Sequence, residues 1–153
     1  MVDKASVIIP NWNGKDLLFD CLNSLKNQTF INFEIILVDN DSNDDSIKFV
    51  EENFSKVRIK KLNKNFGFAR AINEGVKVSN SKYVVFLNND TKVDKNWLKN
   101  LVECANSHPE VISVNSKLLN FYKKDIIDGV GILINEVGQA SSIGWQEKDL
   151  GQY

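Results

Sequence analysis

Four side chains of this 153-residue chain suit different parts of one ligand. Trp12 offers a flat face on which a base can stack, a contact worth roughly 1–3 kcal/mol where nucleic-acid-binding proteins use it. Asp39 can accept a hydrogen bond from an imide or amino N–H. Arg70 can hold phosphate oxygens through two parallel N–H bonds. Asp90 can give a carboxylate to a hard cation whose other ligands are phosphates and water. Base, phosphate and cation together describe a site for a nucleoside diphosphate. Each residue also has a plainer reading. Trp12 could pack on a core, Asp39 to Asp45 could begin a helix, Arg70 could be a solvated helix residue, and Asp90 could be an N-cap. Asparagine occurs 20 times, so no single Asn is informative. What must decide is whether the elements carrying these residues bring them to one place.

Those elements can be read from the hydrophobic pattern. Ala5 to Ile9 is a strand, expected to end at Pro10. Lys15 to Asn27 has apolar residues at 17, 18, 21, 22 and 25, which is helical spacing. Phe33 to Val38 is a near-continuous apolar strand, as in a parallel sheet covered on both faces. Ser42 followed by Asn43, Asp44 and Asp45 predicts a capped helix start, the helix running to about Phe54 with Ile47, Val50 and Phe54 inward. A third strand is expected over Val57 to Leu62, a helix over Phe66 to Val78 and a fourth strand over Tyr83 to Leu87. Asp94 to Ser107 reads as a helix with Trp97, Leu98, Leu101, Val102 and Ala105 on one face, and Val111 to Val114 as a fifth strand. Alternating strands and helices predict an α/β, doubly wound, mainly parallel sheet. After about Lys117 glycines at 129, 131, 138, 144 and 151 and short apolar pieces predict a hairpin-rich C-terminal tail.

In such sheets ligands bind beyond the carboxyl ends of the strands. Strand one ends in Pro10-Asn11-Trp12-Asn13-Gly14 and strand two in Asp39-Asn40-Asp41-Ser42. The loop after strand three is Asn63 to Arg70, and strand four ends in Asn88-Asn89-Asp90-Thr91. Four consecutive strand ends therefore carry polar clusters on the ligand-binding edge.

Composition narrows the classes. Hydrophobic residues make up 42% and charged residues 25%, the globular norm, which excludes a mainly disordered or collagen-like chain. With 19 basic and 20 acidic residues there is no basic excess to draw the chain to nucleic acid. Seventeen of the basic residues are lysines, so Arg58 and Arg70 each ask for a reason. Cys21 and Cys104 form no CxxC pair, which argues against a disulfide framework or a zinc site. The single histidine, His108, precedes Pro109 and gives little support to a nucleophile triad. Met1 to Lys4 leads straight into a strand pattern with no leader signature, and no apolar run approaches the roughly 18 residues of a membrane helix. The expected location is the cytoplasm.

Other phosphate-handling motifs are absent. The turn after strand one has one glycine, not G-x-G-x-x-G, and no G-x-x-x-x-G-K-[ST] occurs. Asn88-Asn89-Asp90-Thr91 approaches the D-x-D-x-T loop of phosphoaspartyl hydrolases, but an amide at the first position cannot carry a covalent phosphate.

Taken in order, Ser6 to Asn13, Cys21 to Leu25, Gln28-Thr29, Glu34 to Ser42, Asn65 to Asn73 and Val85 to Thr91 resemble the family 2 inverting glycosyltransferases of GT-A fold. Asn11-Trp12-Asn13 and Asn88-Asn89-Asp90-Thr91 look most like the rhamnosyltransferase-type branch. The resemblance implies a Rossmann-like nucleotide-diphospho-sugar transferase fold and a donor site of Pro10, Asn11, Trp12, Asn13, Asp39, Asn40, Asp41, Asn65, Gly67, Arg70, Asn88 and Asn89. Asp39 would contact the base beside a stacking Trp12. Arg70 would face the phosphates, with Asn65 and Gly67 shaping its loop. Asp90 would be the metal-binding end of a D-x-D-like motif for Mn2+ or Mg2+. Asn88 departs from the family's first aspartate, which should weaken the cation site, although its amide can still reach ribose.

The implied reaction is transfer, with inversion, from a UDP- or dTDP-sugar to a saccharide or lipid-linked acceptor. Residues 1–116 are expected to form the nucleotide-sugar-binding domain and 117–153 the start of an acceptor-side region. The family's general base is expected beyond the chain end, because Asp125, Asp128 and Asp149 sit in no matching motif. The chain then reads as a donor-binding half, inactive in transfer alone, that could self-associate through apolar surface exposed by truncation or work peripherally at the inner face of a membrane. The rival reading is a non-catalytic interaction or regulatory module of the same fold.

Overall fold

The computed structural model describes residues 4–153. Met1 to Asp3, and with them the start judged free of a leader signature, lie outside the described residues. The chain divides into two compact units, the first ending at Lys99 and the second running from Asn100 to Tyr153.

The first unit holds four parallel strands, β1 (Ala5–Asn11), β2 (Phe33–Asp39), β3 (Val57–Lys61) and β4 (Tyr83–Phe86), in the order β3-β2-β1-β4. The chain winds outward from β1 through β2 to β3, then returns to the other side of β1. That reversal places the switch point of the doubly wound sheet between β1 and β4. The helices are α1 (Lys15–Lys26), α2 (Ser46–Asn53), α3 (Phe68–Val78) and α4 (Trp97–Ser107). Helix α3 packs on β1 and β2, where Ile8, Ile36, Val38, Ala71 and Ile72 form a buried cluster. Its Gly75 is needed for that approach, since a Cβ there would lie 2.4 Å from Ile8 Cγ2 and 3.0 Å from Val38 Cγ2. By strand alternation Val7, Ile9 and Leu37 point to the opposite face and are equally buried. Helix α1 buries Leu18, Cys21, Leu22 and Leu25 along the stripe its spacing predicts and lies beside α2.

Several boundaries differ from the sequence expectation, each for a tertiary reason. Strand β1 continues through Pro10 to Asn11, because its ladder with β2 runs on to the Asn11–Asp39 pair. Pro10 has the same parity as Ile8, whose carbonyl accepts from Leu87 N–H at 3.0 Å, so the proline's missing donor faces β4. Ser42 does not cap α2. Helix α2 begins at Ser46 after a left-handed Asp45 at φ 62°. Asp44 meets the turn instead: its carboxylate accepts from the Ser46 N–H and hydroxyl and from Lys15 N–H at 2.9 Å. Partial burial pushes the Asp44 carboxyl up, but these bonds outweigh it and hold it below the usual range.

Helix α4 begins at Trp97 and not at Asp94. The buried Gln28 amide donates to the Asp94 carbonyl at 2.7 Å and accepts from Leu98 N–H at 2.9 Å, which satisfies one of the helix's orphan donors. The expected strand over 111–114 is not formed. Val111 and Ile112 are exposed and the segment enters no ladder, since three apolar residues in a run of four make no strand without a partner edge. In the second unit, β5 (Leu118–Leu119) pairs antiparallel with β6 (Ile127–Gly129), and β7 (Gly131–Ile134) with β8 (Ala140–Ile143). Gly138 turns the β7–β8 hairpin at φ 77°, a conformation that favours glycine. This is the hairpin-rich tail.

Candidate functional site

The carboxyl ends of β1, β2 and β4 meet in one hydrogen-bonded network. Asn11 closes β1 and Asp39 closes β2, and the two are register partners. Asn11 Nδ2 donates to Asp39 Oδ1 at 3.2 Å and to Ser42 Oγ at 3.2 Å. Asn89, in the loop after β4, donates from Nδ2 to Asn11 Oδ1 at 2.9 Å. Asp39 Oδ2 accepts from Ser42 N–H at 3.0 Å. Ser42 Oγ also accepts from Asn13 N–H at 2.9 Å, and Asn13 Oδ1 accepts from Asn43 N–H at 2.8 Å. Gly14 is required here for space. A Cβ on it would stand 2.2 Å from Asn89 Nδ2 and 2.6 Å from Asn11 Oδ1.

A second network ties the loop after β3 to β2. Asn40 Nδ2 donates to Asn65 Oδ1 at 2.9 Å and to Gly67 O at 3.2 Å, and Asn40 Oδ1 accepts from Phe66 N–H at 3.0 Å. Asn65 Oδ1 takes Gly67 N–H at 2.8 Å. The loop so held presents cations. The Arg70 guanidinium lies 4.4 Å and the Lys64 ammonium 4.9 Å from the Phe66 ring centre. Attraction between cation and ring face, about 0.5–1 kcal/mol at exposed sites, biases Arg70 toward this loop. Its Nε is 4.0 Å from Glu74, too loose and exposed a pair to consume the guanidinium.

Thirteen residues were singled out from sequence, and the structure sorts them. Asn11, Asp39 and Asn40 are 2%, 3% and 4% exposed and act in the networks above. Trp12 is 57% exposed, which excludes a core role and leaves its indole face open. Asn13 and Asp41 adopt left-handed backbone at φ 50° and 67°, tolerated best by Asn and Asp outside glycine. Asn65, Gly67, Arg70, Asn88 and Asp90 are exposed, and Asn89 and Pro10 half-buried. The Asn88 carbonyl accepts from Thr91 Oγ1 at 2.7 Å and lies 3.6 Å from Cys21 Sγ. Burial pushes the Cys21 thiol up to about 12, with a Thr91 hydrogen bond opposing and the Asp90 charge adding to the rise. It is an inert core thiol. Ser42, Gly14 and Phe66 were missed as site residues. Gly14 alone carried a signal, as the one glycine in a turn otherwise made of large residues.

Among the described residues no group of three His, Cys, Asp or Glu side chains could hold a metal ion. One exposed carboxylate, Asp90, suits a hard cation that takes its other ligands from phosphates and water.

A profile described as glycosyl transferase family 2 matches residues 6–129. The chain belongs to this family. The matched span includes every residue of both networks. Among curated relatives, the uncharacterized Escherichia coli glycosyltransferase YibD is 36% identical over 107 residues, 67% of this chain and 30% of the relative. The O-antigen biosynthesis protein RfbC of Myxococcus xanthus is 32% identical over 147 residues, 94% of this chain and 11% of RfbC. Among solved structures, Staphylococcus aureus TarS 1–349 in complex with UDP-GlcNAc superposes with a TM-score of 0.65 at 29% identity. That match covers 76% of this chain and 33% of the TarS chain. The fold is the GT-A nucleotide-sugar transferase fold. The chain spans between 11% and 42% of the lengths of the first curated relatives it matches.

Proposed function

We propose that this chain is the donor-binding part of a glycosyltransferase that uses a UDP- or dTDP-sugar. The observation that carries the reading is the joining of Asn11, Asp39 and Asn89 at the strand ends, beside an exposed Trp12 and Arg70. Each Asp39 oxygen already accepts one hydrogen bond, and a carboxylate oxygen has a second lone pair. An imide N–H of uracil or thymine meets that remaining acceptor while Trp12 covers the ring. Arg70, held on Phe66, pairs with the diphosphate. Asp90 holds Mn2+ or Mg2+ jointly with the phosphates, and the Asn88 amide faces ribose. A cation bound there offsets the charge of the departing nucleoside diphosphate. Asn11 and Asn40, expected to line the pocket, have their amides turned inward and shape it from behind.

Transfer with inversion to a saccharide or lipid-linked acceptor needs a carboxylate to take the acceptor's proton. Asp149 is committed to Lys117 at 2.9 Å, and Asp128 to Asn120 at 3.3 Å. Asp125, Asp128 and Asp149 sit in no motif of the family, so we place the general base outside these 153 residues and expect no transfer by them alone. The domain assignment follows: 1–116 bind the donor and 117–153 begin the acceptor side. The TarS complex with UDP-GlcNAc supports a uridine donor, while the Asn-Trp-Asn and Asn-Asn-Asp-Thr forms support a dTDP deoxy-sugar such as rhamnose. Two free cysteines suit work in the reducing cytoplasm, and no helix of the described residues is long and apolar enough to cross a membrane. Exposed Ile132, Leu133, Ile134 and Trp145 on the second unit support self-association.

Calorimetric titration with UDP and dTDP, each with and without Mn2+, tests the reading. Cation-dependent binding that Asp39→Ala abolishes is the expected result. A folded chain that binds neither nucleotide would overturn it.

A further inference from the structure

The Asn11 amide has no donor left for a ligand. Both of its N–H donors are spent, on Asp39 and on Ser42, and its oxygen accepts from Asn89. The direction of this chain of bonds is fixed by chemistry. An ionised carboxylate only accepts, so the Asn11 amino group must face Asp39 and its oxygen must face the other way. That orientation obliges residue 89 to donate. Of the residues in the Asn88 to Asp90 loop, Asn89 is the half-buried one, and it crosses the one position, Gly14, where the backbone leaves it room. Asp39 therefore takes its orientation partly from a residue on the far side of the switch point.

We propose that Asn89 is a positioning residue for Asp39, acting through Asn11 across the bare backbone of Gly14. This rests on the nucleotide reading above and deepens it. The loop that faces the phosphates and cation is mechanically joined to the carboxylate that faces the base, so the two halves of the donor site assemble as one unit. A side chain at 89 that cannot donate leaves the Asn11 oxygen without its partner, and the amide that steadies Asp39 is loosened.

The test uses the isosteric Asn89→Asp variant, which accepts but does not donate. The first readout needs no ligand: the 13C resonance of the Asp39 carboxyl and the side-chain amide of Asn11. Both should move in the variant, with the backbone spectrum otherwise kept. Unmoved resonances overturn the proposal. The second readout is affinity for uridine, which has no phosphate to touch the 88–90 loop, followed by titration. About a tenfold loss is expected in Asn89→Asp, the scale of one hydrogen bond to a charged group. Unchanged uridine affinity with weakened UDP–Mg2+ binding would overturn the relay and make Asn89 a direct phosphate or cation contact. A purely packing role would lower the thermal midpoint and leave uridine affinity alone, which also overturns it. If the unaltered chain binds neither uridine nor UDP, the nucleotide reading fails, and the resonances decide the relay alone.

Discussion

Ser6 faces Glu34 near the start of β1 and β2, and Asn11 faces Asp39 at their ends. Both pairs set a neutral donor on β1 against a carboxylate on β2, yet their surroundings diverge. Glu34 Oε1 accepts from Ser6 at 2.8 Å and from Ser81 at 3.3 Å, and it is bridged to Lys4 at 3.2 Å, with Arg58 at 3.9 Å from Oε2. Its charge is compensated on the spot. Arg58, one of the two arginines, thus has a structural task and also donates to the Val78 carbonyl at 2.7 Å. Asp39 receives neutral donors only, and no cation pairs with it among the described residues. Lys61 is its register partner on β3, but that ammonium bonds Glu51 at 3.2 Å instead. A carboxylate matched by lysine and arginine has finished its work in the folded chain. One held in place by amides and left with its charge keeps an unspent interaction for a ligand.

The sharpest way to break this contrast is to neutralise Asp39. Asp39→Asn should weaken nucleotide binding by about a hundredfold, or about 2.7 kcal/mol, with little change in thermal midpoint. Calorimetry and a melting curve on one sample check both halves. Gly14→Ala comes next. The added methyl must displace Asn89 or Asn11, so a stability loss of about 1–3 kcal/mol and a roughly tenfold weaker affinity are expected together.

At the other end the expected sign reverses: Glu34→Gln should cost up to about 1 kcal/mol of stability while nucleotide affinity stays put. Burial pushes the Glu34 carboxyl up, but hydrogen bonds from Ser6, Lys4 and Ser81 and the Lys4 charge bring it below its ordinary 4.5. A depressed carboxylate stabilises the fold above that ordinary value and loses the contribution as pH falls through the folded one. Melting temperatures of the two proteins should therefore differ at pH 7 and converge as pH falls through the lowered folded value. The smallest effect is expected from Glu51→Gln. An exposed pair is worth a few tenths of a kcal/mol. If nucleotide affinity falls as well, the released Lys61 has turned to Asp39, and the charge left on that carboxylate was what the ligand used.

Much of this was legible in the chain itself. The parallel strands announced themselves as near-continuous apolar runs such as Phe33 to Val38, and the architecture then told which loops to inspect. Trp12, Asp39, Arg70 and Asp90 stand out in the sequence because their chemistries differ and complement one another. What stayed hidden depends on partners far away in sequence. Ser42 reads as a cap until Asn11 and Asn13, some thirty residues upstream, claim its hydroxyl. The inward turn of the Asn11 and Asn40 donors is set by residues 25 to 31 positions away in the chain. The segment 111–114 has strand composition and no edge to join.

Pro10 gives the sheet its one discontinuity. Every other residue of β1 brings a proton that can stitch it to a neighbouring strand. At Pro10 the stitch toward β4 is missing, one rung beyond the last paired residue, Ile8. The seam between β1 and β4 opens there while the seam with β2 stays closed for one more residue. The segment after Phe86 is released from the plane of the sheet, and Asn89 reaches the Asn11 amide at Gly14. An absent backbone proton thus marks where β1 parts from β4 and side-chain amides take over the joining of the two strand ends.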